Sequence, residues 1–121
     1  MDPLAPFESA VVEAVANDEG LDPAALRDLA RRVHTHADSM PGVDELVMEW
    51  RRFLRYEPLV ARTDDAYLLA VEPTIWTEFG TQLGLTDREL AAVRRLHDWQ
   101  ARRSVAETAP FDARAALVLA R

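Results

Sequence analysis

Hydrophobic residues recur at helical spacing in five segments of the chain, with charged residues between them. Apolar positions three or four residues apart share one face of an α-helix, and that face packs against a core. We therefore predict five amphipathic helices, which span about residues 3–17, 23–40, 43–55, 73–83 and 87–103.

Residues that favour helix ends support these boundaries. Thr86 and Glu89 form a capping box, in which each side chain bonds the backbone of the other residue at the start of a helix. Asp22 is a good N-cap, and Pro23 after it fits the first helical position. Gly20 ends the helix before them.

A β-hairpin is predicted over residues 59–71, where two short apolar runs flank the turn-forming segment Thr63-Asp64-Asp65. Residues 105–112 resemble a loop, and the apolar segment 116–121 fits a third strand, with a short helix as the alternative. The predicted fold class is α+β, with about five helices packed on a two- or three-stranded antiparallel sheet. We expect one domain over residues 1–121.

Composition excludes several kinds of chemistry. The chain has no cysteine, so disulfides, thiolate metal sites and a cysteine nucleophile are ruled out. All 14 basic residues are arginine, so lysine-based Schiff-base chemistry and a P-loop lysine are also ruled out. Neither a serine elbow nor a phosphate-cradling glycine loop is present. We therefore expect a protein that is not an enzyme and has no cofactor.

The net charge is −7, and the acidic excess is concentrated at the start of the chain. Residues 1–30 hold seven acids and one arginine. This acidity and the scarcity of lysine, isoleucine and asparagine favour a halophilic archaeon as the source, with a high-GC bacterium as the alternative. No secretory leader and no apolar stretch of membrane-spanning length is found, so we expect a cytoplasmic location without membrane contact.

Several long segments resemble a family of small haloarchaeal proteins that is known as a domain of unknown function. These segments are VVEAVANDEGLDPAALRDL, EWRRFLRYEPLVARTDDAYLLAVEPTIWTEFGTQLGL, DRELAAVRRLHDWQARR and ALVLAR. The resemblance covers most of the chain and implies no catalytic or binding residue. The opening VVEAVANDEGLDP also resembles the start of an output domain of haloarchaeal signalling proteins.

His34, Asp38 and His97 are the candidate metal ligands. His34 and Asp38 are four residues apart and share a helix face, whereas His34 and His36 point in nearly opposite directions. With His97, the pair would give two histidines and one carboxylate, a set suited to non-haem iron. The ordinary alternative is a surface His–Asp pair with a histidine at the margin of the core. We favour that alternative and predict no metal site.

A stripe of arginines is the candidate functional surface. Arg88, Arg95 and Arg102 recur every seven residues on one face of the capped helix, and Trp99 stands beside them. Such a surface suits a protein partner or self-association, so these four residues are our predicted partner-binding set. Trp99 is the tryptophan that we expect at an interface, whereas Trp50 and Trp76 lie on apolar stripes and are expected in the core.

The sequence thus favours a protein-interaction or regulatory module. A helix-turn-helix or winged-helix DNA-binding protein is the alternative. Its phosphate contacts would come from Arg94, Arg95, Arg102 and Arg103. Nucleic acid is disfavoured as a partner because the chain carries an excess of acid.

Overall fold

A computed structural model describes residues 2–39 and 42–121, and it confirms the α+β fold class. Its elements, in chain order, are α1 (Ser9–Glu19), α2 (Pro23–Asp38), α3 (Val43–Phe53), β1 (Leu59–Arg62), β2 (Ala66–Val71), α4 (Pro73–Leu83), α5 (Asp87–Ser104), α6 (Pro110–Ala113) and β3 (Ala115–Ala120). Five helices of substantial length therefore accompany the predicted hairpin and the third strand, within the part of the chain that is described. The C-terminal segment is a strand, so the helical alternative is wrong.

The sheet is antiparallel, and β2 lies between β1 and β3. All six residues of β2 are buried, because helices cover one face of the sheet and Phe111 with neighbouring apolar residues covers the other. Strand β1 is only four residues long, and its register with β2 shifts between Leu59 and Ala61. A short edge strand with a bulge is a poor template for pairing with another chain.

Side chains from α4 and α5 form hydrogen bonds with backbone groups of the other edge strand, β3. The indole Nε1 of Trp76 donates to the carbonyl of Ala116 at 3.0 Å. The N–H of Val118 donates to Nδ1 of His97 at 2.9 Å. These two bonds satisfy backbone groups that would otherwise be available to a further strand.

Helix α5 contacts α1, α2, α4 and β3, and it starts as the sequence predicts. Thr86 accepts from the N–H of Glu89 at 3.1 Å, and Glu89 accepts from the N–H of Thr86 at 2.9 Å. Its buried face carries Ala92, Val93, Leu96, His97, Gln100 and Ala101.

Two segments differ from their predicted structure. The first helix starts at Ser9 rather than near residue 3, and residues 3–6 form turns instead. Pro6 has no N–H to donate and disfavours a helical residue before it, so the apolar spacing of Leu4 and Phe7 does not extend the helix. The expected loop over 105–112 contains the start of α6. Helix α2 ends at Asp38, and the predicted contribution of Met40 falls outside the described residues.

Candidate functional site

The arginines of the predicted stripe share one side of α5, but they contact neighbouring elements of the same chain. Arg88 bonds the C-terminal end of α1, where its Nη2 donates to the carbonyls of Glu19 at 2.8 Å and of Gly20 at 3.3 Å. The last carbonyls of a helix lack partners within the helix and carry partial negative charge. A guanidinium at this position therefore stabilises the end of α1.

Arg95 also contacts α1. Its guanidinium forms ion pairs with Asp18 at 2.9 Å and with Glu19 at 3.2 Å, and it lies 5.7 Å from the centre of the Trp99 ring. The hydrogen bond to Glu19 is the main cause that raises the pKa of Arg95 above its ordinary value. Arg95 is exposed to solvent, so each of these ion pairs contributes little to stability.

Arg102 connects α5 to α6. Its Nε donates to both carboxylate oxygens of Asp98, at 3.1 and 3.0 Å, and Nη1 donates to Asp112 at 2.8 Å. Nη2 donates to the carbonyl of Phe111 at 3.0 Å. Each of the three guanidinium nitrogens of Arg102 thus donates to an acceptor of the same chain.

Each arginine of the stripe therefore already donates hydrogen bonds to acceptors of the same chain. Trp99 is half-buried and packs against the main core, so it is less available than the sequence suggests. Trp76 is fully buried, as predicted, and Trp50 is half-buried against the same core. A role of Arg88, Arg95, Trp99 and Arg102 in partner binding stays a prediction, and a partner would have to compete with these internal contacts.

His34 and His97 are both buried, and no residue that the structure describes donates to or accepts from three of their four ring nitrogens. His97 lies between the rings of Phe7 and Trp76, with ring centres 4.9 and 4.8 Å away. Burial lowers the pKa of His97 to about 3, and burial also lowers the pKa of His34. Both imidazoles are therefore neutral at ordinary pH.

The structure does not assemble the three candidate metal ligands. Asp38 instead accepts from the N–H of Val43 at 3.0 Å, which fixes the start of α3. Among the residues from 2 to 39 and from 42 onwards, no three His, Asp or Glu side chains come close enough together to hold a metal ion.

A second surface, on α3, was not singled out from the sequence. Met48 and Phe53 are the large hydrophobic residues that are exposed in the described chain, at 63% and 74%. Met48 points away from the buried Val43 and Val47, whereas Phe53 lies about 140° around the helix from Met48. Helix α3 thus exposes an apolar side chain, that of Met48, on the side away from the core.

The charges on α3 are ordered along its axis. Acidic residues, Asp44 and Glu45, occupy its first turn, and basic residues, Arg51 and Arg52, occupy its last turn. Arg51 pairs with Glu57 at 2.7 Å. Glu45 and Arg52 form no ion pair with any residue that the structure describes.

A cleft of about 360 Å³ lies between α5 and the segment that joins α6 to β3. Three arginines line it, Arg94 and Arg95 from α5 and Arg114 from the joining segment. Asp98 and Asp112 are also part of the lining. The cleft shares no lining residue with α3, so the two surfaces are separate.

Comparison with known proteins places the chain in a family. A family model described as a domain of unknown function (DUF8048) matches residues 5–121. The chain belongs to this family. No curated protein and no solved structure matches it. The resemblance to a domain-of-unknown-function family is thereby confirmed, while the haloarchaeal source of this DUF8048 protein stays a prediction.

The family model is described as a domain of unknown function, so the function proposed below rests on the geometry of this chain. No helix within the described ranges is long and apolar enough to cross a membrane. The sequence did contain a pattern for the missed surface on α3. Met48 lies opposite the apolar stripe of that helix, between acidic and basic turns.

Proposed function

We propose that this DUF8048 protein is a non-enzymatic interaction module that self-associates through the outer face of α3. The observation that carries the proposal is the 63% exposure of Met48, on the side of α3 that faces away from the buried Val43 and Val47. Single exposed apolar residues are common on protein surfaces. Met48, however, lies between the acidic first turn and the basic last turn of α3, and an apolar centre with a charged rim is the composition of a contact surface.

The order of charges supports a second copy of the same chain as the partner. Glu45 and Arg52 are seven residues apart, so they share a helix face but are separated by about 10 Å along the axis. This separation is too large for a direct ion pair within one helix. In an antiparallel pair of α3 helices, a two-fold axis between Met48 and Glu49 places Glu45 of each copy opposite Arg52 of the other.

Such an arrangement is self-complementary, as a two-fold interface requires. The two Met48 side chains meet near the axis and lose their contact with water. The charged groups lie at the rim, where they set the antiparallel direction more than the affinity. An acidic partner would match only Arg52, and a basic partner would match only Glu45.

The expected association is weak. Helix α3 has 11 residues and is about 16 Å long, so one face of it covers less than the roughly 800 Å² per partner of a standard interface. We therefore expect a monomer–dimer equilibrium that depends on protein concentration rather than a permanent dimer.

Sedimentation velocity over micromolar to millimolar concentrations tests the proposal. The native chain should shift from monomer towards dimer, and Met48→Glu should remain monomeric because it would bury two like charges near the axis. Ala25→Glu on the exposed side of α2 is the matched control and should behave like the native chain. A native chain that stays monomeric at all concentrations would contradict self-association.

A charge exchange identifies the partner. Glu45→Arg and Arg52→Glu should each weaken the dimer, because each places like charges across the interface. The double variant, Glu45→Arg with Arg52→Glu, should regain it, since the same pairs form with reversed sign. Dimerisation that the double variant does not regain would disprove the antiparallel register.

The arginine stripe offers a direct comparison. If the stripe bound the partner, Arg95→Ala with Trp99→Ala would remove it. Because Trp99 packs against the core, its loss would also destabilise the protein, so Arg95→Ala alone is the cleaner variant. We expect it to leave the dimer unchanged. Loss of the dimer in this variant would show that the interface lies on the arginine stripe.

Three of the four arginines that the DNA-binding alternative requires are already paired within the chain. Arg95, Arg102 and Arg103 form ion pairs with acidic residues of the same chain, and Arg103 holds Glu8 at 2.8 Å. Guanidiniums that are paired with carboxylates neutralise few phosphates, so few counterions leave the DNA. This release of counterions is the main source of affinity for DNA. A gel-shift assay with duplex DNA should therefore show no retained complex.

A further inference from the structure

We propose that the cleft between α5 and the α6–β3 junction binds a small oxyanion, a phosphate or a carboxylate, through Arg94 and Arg114. The cleft has a volume of about 360 Å³, which is within the range of pockets for small molecules. Two arginines from different elements, Arg94 of α5 and Arg114 of the segment before β3, line this cleft, and neither belongs to the surface on α3 or to the arginine stripe.

Arg94 has donors to spare. It is half-buried in the wall of the cleft, and it forms no ion pair with any residue in the described ranges. A partly buried guanidinium without a carboxylate is costly unless it faces an anion or water. The charge is therefore available to a ligand in the cleft.

Arg114 is fixed in place while its charge is only loosely balanced. Its guanidinium carbon lies 3.7 Å from the centre of the Tyr56 ring, a stacking contact that orients the planar group. The nearest carboxylate, that of Glu72, is 3.9 Å from its Nε, which is too long for a hydrogen bond. An oxyanion can therefore find free N–H groups on Arg114.

The other charged residues of the lining have ion-pair partners of their own. Asp98 and Asp112 both accept from Arg102, which does not line the cleft. Arg95 is held by Asp18 and Glu19 of α1. The lining residues together hold three arginines and two aspartates, a formal charge of +1, and Arg94 is the arginine among them that has no ion pair within the described ranges.

The back of the cleft is rigid. Trp76 is fully buried, and its indole Nε1 is bonded to the carbonyl of Ala116. Phe111 is buried in the packing below the sheet. A rigid wall behind Arg94 and Arg114 lowers the conformational entropy that the site loses when a ligand binds. The planar guanidinium group also matches the paired oxygens of phosphate and carboxylate.

Titration of the native protein with sodium phosphate and, separately, with sodium acetate tests the proposal at constant ionic strength. Arginine Nε–Hε signals in ¹H–¹⁵N spectra report binding. We expect saturable shifts at Arg94 and Arg114. Saturation with phosphate alone identifies a phosphate site, with acetate alone a carboxylate site, and with both a general oxyanion site.

Variants locate the site. Arg94→Gln should weaken binding by about tenfold or more, because a hydrogen bond to a charged group contributes roughly that factor. Arg94 makes no ion pair, so this variant should keep the native melting temperature, whereas Arg114→Gln also loses the Tyr56 contact. Arg31→Gln, at an exposed position of α2, is the control and should bind as the native chain does.

Shifts that do not saturate with either anion would overturn the proposal. Equal weakening in Arg94→Gln and Arg31→Gln would also overturn it, because the effect would then follow total charge and not the cleft. The sedimentation of Arg94→Gln separates the two proposals. If Arg94→Gln loses anion binding but still dimerises, the two proposals are independent. If it binds the anion but no longer dimerises, they are also independent.

Discussion

His97 is a residue whose structural role depends on its protonation state. As a neutral ring it accepts from the N–H of Val118 and so connects α5 to the edge of β3. Protonation would turn Nδ1 into a donor and would place a charge between the rings of Phe7 and Trp76. His34, which is also buried, would repel that charge.

We predict that acid destabilises the protein through His97. Its folded-state pKa of about 3 lies below the ordinary value of 6.5, so its contribution is complete above pH 6.5 and is lost as the pH falls towards 3. His97→Asn keeps an acceptor for Val118 but cannot take up a proton in this range. Thermal unfolding should show a lower midpoint for this variant at pH 7 and a flatter decline in acid.

The control for this prediction is His36→Asn, which alters a histidine at a less buried position of α2. It should retain the pH profile of the native chain. The pKa of Glu8 is lowered to about 2, mainly by its hydrogen bond to Arg103, so some loss of stability in acid should remain in every variant. A His97→Asn profile parallel to the native one would show that His97 does not cause the decline.

The candidate sites show which residue contacts the sequence can predict. The seven-residue spacing of Arg88, Arg95 and Arg102 correctly placed them on one side of a helix. Their partners could not be predicted, because Arg95 pairs with acids more than seventy residues away in the chain. Periodicity defines a face of a helix, but the neighbour of that face depends on the tertiary packing.

Among the elements, α5 shows how strongly a local pattern can define a helix. Its capping box has both reciprocal hydrogen bonds, at the boundary that the sequence predicted. We predict that Thr86→Ala lowers the free energy of unfolding by about 1 kcal/mol, since it removes the acceptor for the N–H of Glu89. The melting temperature should fall by about 4 °C.

Thr35→Ala is the matched control for the cap. Thr35 is exposed within α2, where alanine has the higher helix propensity, so this variant should be neutral or slightly stabilising. Denaturant unfolding of both variants gives the comparison. Equal stability of the two would mean that the cap contributes nothing to α5.

The sequence was least decisive where the periodic pattern is very short, is interrupted by proline or does not alternate. Helix α6 has four residues, which is too short for an apolar stripe. At the start of the chain the apolar spacing was present, but two prolines, Pro3 and Pro6, prevented a helix. Strand β3 is buried along almost its whole length, so it lacks the alternation that distinguishes a strand from a helix.

Across the whole molecule, ion pairs join the acidic N-terminal region to the arginine-rich helix α5. Residues 1–30 hold seven acids and one arginine, whereas α5 holds five arginines and three acids. The ion pairs of Glu8, Asp18 and Glu19 with Arg95 and Arg103 join these two regions. The N-terminal acidity is therefore partly balanced by α5, and the remaining acids face solvent.

We predict that salt stabilises the protein, because it screens repulsion among the acids that α5 does not balance. The Debye length is about 3 Å at molar salt, so repulsion between exposed carboxylates is then nearly absent. Arg103→Gln releases Glu8 from its ion pair and should make the midpoint of thermal unfolding rise more steeply with KCl than in the native chain. Arg31→Gln changes the net charge equally without breaking an ion pair, and its slope should stay closer to the native one. A native midpoint that is flat or falls with KCl would contradict the halophilic interpretation, and the acidic, lysine-free composition would then reflect only the base composition of the genome.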